Sequence, residues 1–411
     1  MKKLMSIFMA AALAVTIAGC GSSSSKSGEG ETIKIGYLQD QSGEFSVATL
    51  PKYHAAQLAV EEINKDGGIL GKQVELIAPD TQSDTTKAQE MAKKLILEDK
   101  VDVLMGGYSS PGREAIRSIV EQQNQLFMYN NQYEGGDASH NVFCTGLVPE
   151  TQISTLMEAM VKDYGKKIYI IAADYNFGQI SGAWTKKVVE EYGGEIVGEE
   201  YIPLSVSQFS STISKIKQAN PDVLVTYLVG TAQSSFYEQW ATAGIKNLPM
   251  ASTINMTQTY EHKRFQPPAM ANMHATTNYM EELDTEASNK FKENYYKKFP
   301  DDEYIGEETE AEYTGIYLYK EAVEKAGTTD VEKVIEAFES GEISYDGPAG
   351  TVTIDGATHQ AIRDLRLVKC DENHKISFLQ EWKAVKPDWL SEEMDVDLRK
   401  SAPNKQFTPI D

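Results

Sequence analysis

Along this chain a short apolar run ends in a polar turn and opens an amphipathic helix, again and again, and few folds accommodate that rhythm. Between Met105 and Gly136 it occurs twice: VDVLM leads through a Gly-Ser turn into one helix, and QLFMY leads into the turn NNQYEGG. Upstream, IKIGYL (Ile33 to Leu38) alternates as a strand, and the next helix carries Ala56, Ala59, Val60 and Ile63 on one face. That helix stops at Asp66-Gly67-Gly68, where glycine tolerates a left-handed cap. VELIA is the next strand, Ser83-Asp84 offers caps, and Ala88, Met91, Ala92, Leu95 and Ile96 form the following helical stripe. Strands alternating with helices predict a parallel sheet with right-handed crossovers.

The alternation restarts after Pro149, with helices near Gln152 to Tyr164, Ser181 to Tyr192 and Phe209 to Gln218 and strands KIYIIAA, EIVGEEYIPL and DVLVTYLVGT. At 411 residues the chain exceeds one compact core. The expected fold is therefore α/β, with two Rossmann-like parallel-sheet lobes joined by a hinge. The first lobe spans 32–148 and is completed by about 278–345; the second spans 149–277 and is completed by about 346–385. Thr285 to Phe299 and Ala311 to Ala326 read as helices, while GPAGTVTI, LRLVKC and ISFLQEW alternate like antiparallel strands. The tail, 386–411, holds prolines and mixed charge and is expected along the surface.

The amino terminus reads as a processing signal. Lys2 and Lys3 precede an apolar run from Leu4 to Ala18, the order of a secretory leader, and the run is short for a membrane span. Ile17-Ala18-Gly19-Cys20 resembles a lipoprotein cleavage box, so residues 1–20 are expected to leave Cys20 acylated. Residues 21–31 form a Ser/Gly-rich flexible linker. The expected location is the extracytoplasmic face of the cell envelope, with the membrane reached through that lipid alone. The remaining cysteines, Cys144 and Cys370, are either a disulfide permitted by export or two buried thiols. With 39 basic and 61 acidic residues the net charge is −22, which repels nucleic acid and anionic lipid.

Small ligands bind open parallel sheets where strand carboxyl ends meet helix amino ends. The two consecutive turns place Tyr108, Ser109 and Ser110 beside Tyr129, Asn130, Asn131 and Gln132. The carboxamides donate and accept and suit a neutral planar solute, although Asn also favours turns for its own sake. Ser109 or Ser110 either orients a carbonyl or carboxylate or caps the helix. Tyr108, Tyr129, Tyr175 and Phe177 wall the cleft or belong to ordinary core. Thr231 is a weaker candidate that also suits a helix cap, and Phe45 is a candidate lid from the first loop. Gly107-Tyr108-Ser109 begins like a nucleophile elbow, but Pro111 stands where the last glycine belongs. None of the six histidines forms an HExxH or a recognisable triad, and no glycine-rich phosphate cradle is present. The reading is a binding cleft without enzyme chemistry, metal or cofactor.

EEINKDGGILGKQVEL followed by DTQSD and a helix resembles the type I substrate-binding proteins of ABC importers, the leucine/isoleucine/valine-binding class. Within it, YEGG with SHNVFCTG, then DYNF, YIPL, VGT, LDTEASNKF and GPAGTVTI, looks closer to the urea and short-chain-amide receptors, in order from about Ile33 to Val368. The resemblance implies two α/β lobes that close on a small polar solute and hand it to a membrane permease. Its amide pocket aligns with Tyr108, Ser110, Tyr129, Asn131, Gln132, Tyr175 and Phe177. The chain departs from it in having Tyr129-Asn130-Asn131-Gln132 where Tyr-Pro-Thr-Pro is frequent, and Gly178-Gln179 where a Pro-Arg pair is common. Those changes bear on the ligand and leave the fold alone. The alternative in the same class is an amino-acid receptor, which needs a carboxylate for the ligand ammonium; Asp174 and Glu310 are the candidates, although Glu310 also suits a helix start. A cytoplasmic ligand sensor, another use of this fold, conflicts with the leader and Cys20.

Overall fold

Val103, Leu104 and Met105 are all fully buried, yet successive strand side chains point to opposite faces, so both faces of their sheet must be covered. In the computed structural model, which describes residues 32–245 and 247–409, they are. The strands are β1 (Ile33–Leu38), β2 (Val74–Ile77), β3 (Val103–Gly106), β4 (Phe127–Tyr129), the short β5 (Asp137–Ala138) and β6 (Val142–Cys144). All but β5 form a parallel sheet in the order β2-β1-β3-β4-β6. Val103 and Met105 enter one core with Ile33, Ile35 and Met128; Leu104 enters another with Phe127 and Val142. Helices α1 (Ser46–Lys65), α2 (Thr85–Lys94) and α3 (Ser110–Gln123) make the crossovers.

The second series repeats the plan. After α4 (Pro149–Asp163), β7 (Lys167–Ala173), β8 (Glu195–Ile202), β9 (Val223–Tyr227), β10 (Met250–Ala251) and β11 (Met273–Thr277) alternate with α5 (Asn176–Glu191), α6 (Ser210–Ala219), α7 (Gly230–Thr242) and the short α8 (Glu261–Arg264). Ile168 and Ile170 face one core, Tyr169 and Ile171 the other. The chain then crosses back: α9 (Glu286–Lys298), α10 (Glu307–Ala326) and α11 (Val331–Glu339) pack Phe291, Ile316, Val323 and Phe338 into the core of the first sheet. It crosses again with β12 (Ser344–Gly347), β13 (Gly350–Ile354), β14 (Ala361–Cys370) and β15 (Ile376–Val385), which extend the second sheet in antiparallel pairs through β11.

One expectation needs correction, and one open alternative is decided. The tail does not simply lie along the surface: α12 (Trp389–Glu392) buries Trp389 and Leu390, Val396 and Leu398 follow them inward, and β16 (Lys405–Gln406) pairs with β5. Its few apolar residues find a place because α5 presents Trp184 to Trp389, ring centroids 4.9 Å apart. Cys144 and Cys370 are free and buried, one at the end of β6 in the first sheet and the other at the end of β14 in the second. The leader, Cys20 and the spacer before Thr32 lie outside the described residues.

Candidate functional site

Five parallel strands send their carboxyl ends toward one hollow. β3 leads to Tyr108 and Ser110; β4 ends at Tyr129 and runs on through Asn131, Gln132, Tyr133 and Glu134. From the second sheet β7 brings Tyr175 and Phe177, β9 brings Val229, and β10 brings Ile254 and Gln258. This is where strand order reverses in both sheets, β1 beside β3 and β7 beside β9, the position open α/β sheets use for ligands. Gln258 joins the two sides. The Tyr108 hydroxyl donates to Gln258 Oε1 at 3.0 Å, and Gln258 Nε2 donates to Gln132 Oε1 at 2.9 Å. Phe45, at the start of α1, packs against the Tyr108 ring with centroids 5.2 Å apart.

The Asn130–Gln132 turn is held from beneath by charge. Lys52 on α1 is completely buried; its Nζ donates to the Asn130 carbonyl at 3.0 Å, to Asn131 Oδ1 at 2.6 Å and to Glu308 Oε2 at 3.4 Å. Glu308 Oε1 in turn accepts from the Gln132 N–H at 2.8 Å. Asn130 Nδ2 donates to Glu312 Oε1 at 2.8 Å, and its Oδ1 accepts from Thr145 at 2.7 Å. A buried ammonium is tolerated only when partners replace its water, and here backbone, carboxamide and carboxylate do so. Gly146 lets this turn approach: a Cβ there would stand 2.1 Å from the Asn131 carbonyl.

Of the described residues that line the hollow, Glu134 alone carries a formal charge, and it is already matched. Arg113, itself without solvent exposure, donates to Glu134 Oε1 at 2.8 Å and stacks over Tyr133 at 4.7 Å. Ser110 donates to Glu134 Oε2 at 2.9 Å, and Gln406 Nε2 donates to Oε1 at 3.1 Å. Burial works to raise the Glu134 carboxyl, but the Arg113 guanidinium beside it, with the Gln406 donor, holds it below the usual range. Asp137, nearby, goes the other way: burial lifts it to about 6 despite Arg113 and Arg117. Among the described residues no cluster of His, Cys, Asp and Glu is arranged to hold a metal ion.

Residues 32–375 match the model of the periplasmic binding protein family. The chain belongs to that family. This family member is 23% identical over 350 residues to Leu/Ile/Val-binding protein homolog 6 of Brucella abortus, covering 82% of this chain and 87% of that protein. It is 25% identical over 348 residues to a leucine-, isoleucine-, valine-, threonine- and alanine-binding protein of Pseudomonas aeruginosa, covering 83% and 90%. Among solved structures, a solute-binding protein of an ABC transporter from Rhodopseudomonas palustris, in complex with 3,4-dihydroxybenzoic acid, superposes with a TM-score of 0.77 at 22% identity, over 86% of this chain and 98% of that one. A closed leucine-, isoleucine-, valine-, threonine- and alanine-binding protein from Brucella ovis also gives 0.77 at 19% identity, over 87% and 97%. The two-lobe α/β fold expected from the sequence is thus the fold of this periplasmic binding protein.

Seven of the residues singled out from the sequence converge on the hollow: Tyr108, Ser110, Tyr129, Asn131, Gln132, Tyr175 and Phe177. Asn130 lies beneath it, bound to Glu312 and Thr145. Ser109 caps α3, accepting from the Gly112 N–H at 3.3 Å, and faces a separate small hollow beside Asp40. Phe45 and Thr231 border an adjoining cleft that shares Tyr108 and Val229 with the first. Asp174 is exposed and accepts from Gln179 at 2.9 Å. Glu310 is buried away from the lining, taken up by Arg363 at 2.8 Å and Asn278 at 2.7 Å. Sequence reasoning passed over Gln258, Glu134, Lys52 and Glu308. The one signal was GEETEAEY, four carboxylates in six residues from Glu307 to Glu312, which also suits a solvated helix start.

Proposed function

We propose that this periplasmic binding protein is the solute receptor of an ABC importer, lipid-anchored outside the cytoplasm, and that it grips a small uncharged polar solute such as urea or a short-chain amide. One observation carries the choice of solute. The hollow offers tyrosine hydroxyls, Ser110 and three carboxamides, while its one carboxylate is neutralised by Arg113. Carboxamides and hydroxyls pair with a neutral group that both donates and accepts. An anion such as the benzoates bound by structural relatives would meet Glu134 and no free cation among the lining residues. Lobes that close by hinge motion on contacts available only when shut would then present the solute to a permease.

Amino-acid binding is the second reading, supported by the Brucella and Pseudomonas relatives, which are named as amino-acid-binding proteins. It requires Glu134 to exchange Arg113 for a ligand ammonium. Thermal shift against amides, urea and amino acids separates the two. A solute at ~100 times its dissociation constant adds ~2.7 kcal/mol of stability. Neutral amides or urea should move the melt more than leucine or valine; the opposite ranking would transfer the conclusion to amino acids.

A further inference from the structure

The carboxyl-terminal segment reaches the hollow by a route outside the residues that match the family model. Trp389 and Leu390 anchor it in the core of the second sheet, and it then runs to β5, just beyond the site turn. The Asn404 N–H donates to the Ala138 carbonyl at 3.0 Å and the Phe407 N–H to the Gly136 carbonyl at 2.8 Å. Contact is close enough that a Cβ on Gly136, at φ +81°, would stand 1.9 Å from the Phe407 carbonyl oxygen. This main-chain ladder fixes Gln406, whose carboxamide nitrogen donates to Glu134 Oε1 at 3.1 Å and to the Gly135 carbonyl at 2.8 Å.

We infer that Gln406 is a positioning residue of the hollow: it locks the Glu134 carboxylate onto Arg113 and thereby keeps the cleft from accepting an ammonium-bearing solute. The inference rests on the solute-binding reading above and names the group that sets its selectivity. Glu134 has two oxygens and three side-chain donors, Ser110, Arg113 and Gln406. Removing Gln406's donor leaves Oε1 with Arg113 alone and Oε2 with Ser110, so the carboxylate turns more readily toward a cation in the hollow. The titratable groups facing it, Arg113, Tyr129, Tyr175 and Cys144, are the same in wild type and Gln406→Leu, whereas Gln406→Lys adds an ammonium.

Gln406→Leu removes both donor contacts but keeps the ladder, which is main chain; Gln406→Lys restores a donor. Two readouts decide. In the unliganded full chain, carbon NMR of the Glu134 carboxyl, assigned by difference from Glu134→Gln, should titrate at higher pH in Gln406→Leu than in wild type and at or below the wild-type pH in Gln406→Lys, whose ammonium favours the carboxylate. For binding, propionamide and glycinamide match in heavy atoms and differ by an ammonium. The preference for propionamide should fall by about tenfold in Gln406→Leu, the scale of one charge-assisted hydrogen bond. An unmoved Glu134 titration, or an unchanged solute ratio, overturns the proposal. If neither solute binds wild type, the solute reading fails on its own, and the titration still decides the role of Gln406.

Discussion

Lys52 and Glu308 meet at 3.4 Å with no solvent access to the lysine and almost none to the glutamate, and both hold the same turn. Deleting one member of such a pair strands a buried charge. Lys52→Met should therefore cost about 3–5 kcal/mol in denaturant unfolding, and Lys52→Met with Glu308→Gln should recover part of it. A single-mutant loss under about 1 kcal/mol would mean the pair is not what holds the turn.

Gly146 is required by proximity and not by a left-handed backbone: the Asn131 carbonyl lies 2.1 Å from where a Cβ would sit. Gly146→Ala should push the Asn131-Gln132 main chain into the hollow. We expect a stability loss of about 1–3 kcal/mol, typical of overpacking, together with loss of the thermal shift by whichever solute binds wild type. Retained solute response in a folded variant would show that the turn does not form the floor of the site.

Glu307 predicts a pH dependence. Burial first, then the neighbouring Glu308, lifts its carboxyl to about 8, and the Thr257 and Thr277 hydroxyls donate to it. Its folded value lies above the unfolded value of about 4.3, so the native state binds the proton more tightly. The associated stability is complete below that unfolded value and is lost as pH rises toward 8. Burial raises Glu312 and Glu261 to about 7, which adds to the same slope. Urea midpoints should fall from about pH 6 to about pH 8.5, and Glu307→Gln should flatten the decline. A midpoint rising across that window would contradict the assignment.

The anchor can be tested without the folded body. Growth with a fatty-acid analogue should label the chain at Cys20, and Cys20→Ser should lose the label and leave the membrane fraction. An unlabelled wild-type chain recovered as soluble protein would remove the lipid from the proposal.

The positions that could be read in advance share a local signature. Tyr108 and Ser110 follow a buried apolar run, as do Asn131 and Gln132, and a strand end followed by a polar turn is legible within ten residues. Gln258 had no such mark: it sits in a stretch of mixed polar residues after the two-residue β10, too short a strand to give a period. Asp174 and Thr231 had the mark but face elsewhere: Asp174, after β7, is exposed, and Thr231, in the first turn of α7, borders the adjoining cleft. The tail was read as surface because Trp389, Leu390, Val396 and Leu398 follow no strand or helix period, although each is buried.

By itself the sequence determined the alternation of strand and helix, the parallel sheets and the two turns at the cleft, since these follow from spacing along a few residues. Tertiary structure decided what holds those turns and what charge they present. Lys52 and Glu308 are 256 residues apart, and Glu134 and Gln406 are 272 apart. Such pairs leave no periodic trace in the chain. They exist because two crossings of the backbone and a returning carboxyl-terminal segment bring the partners into one water-excluded volume, where a charge persists only beside its complement.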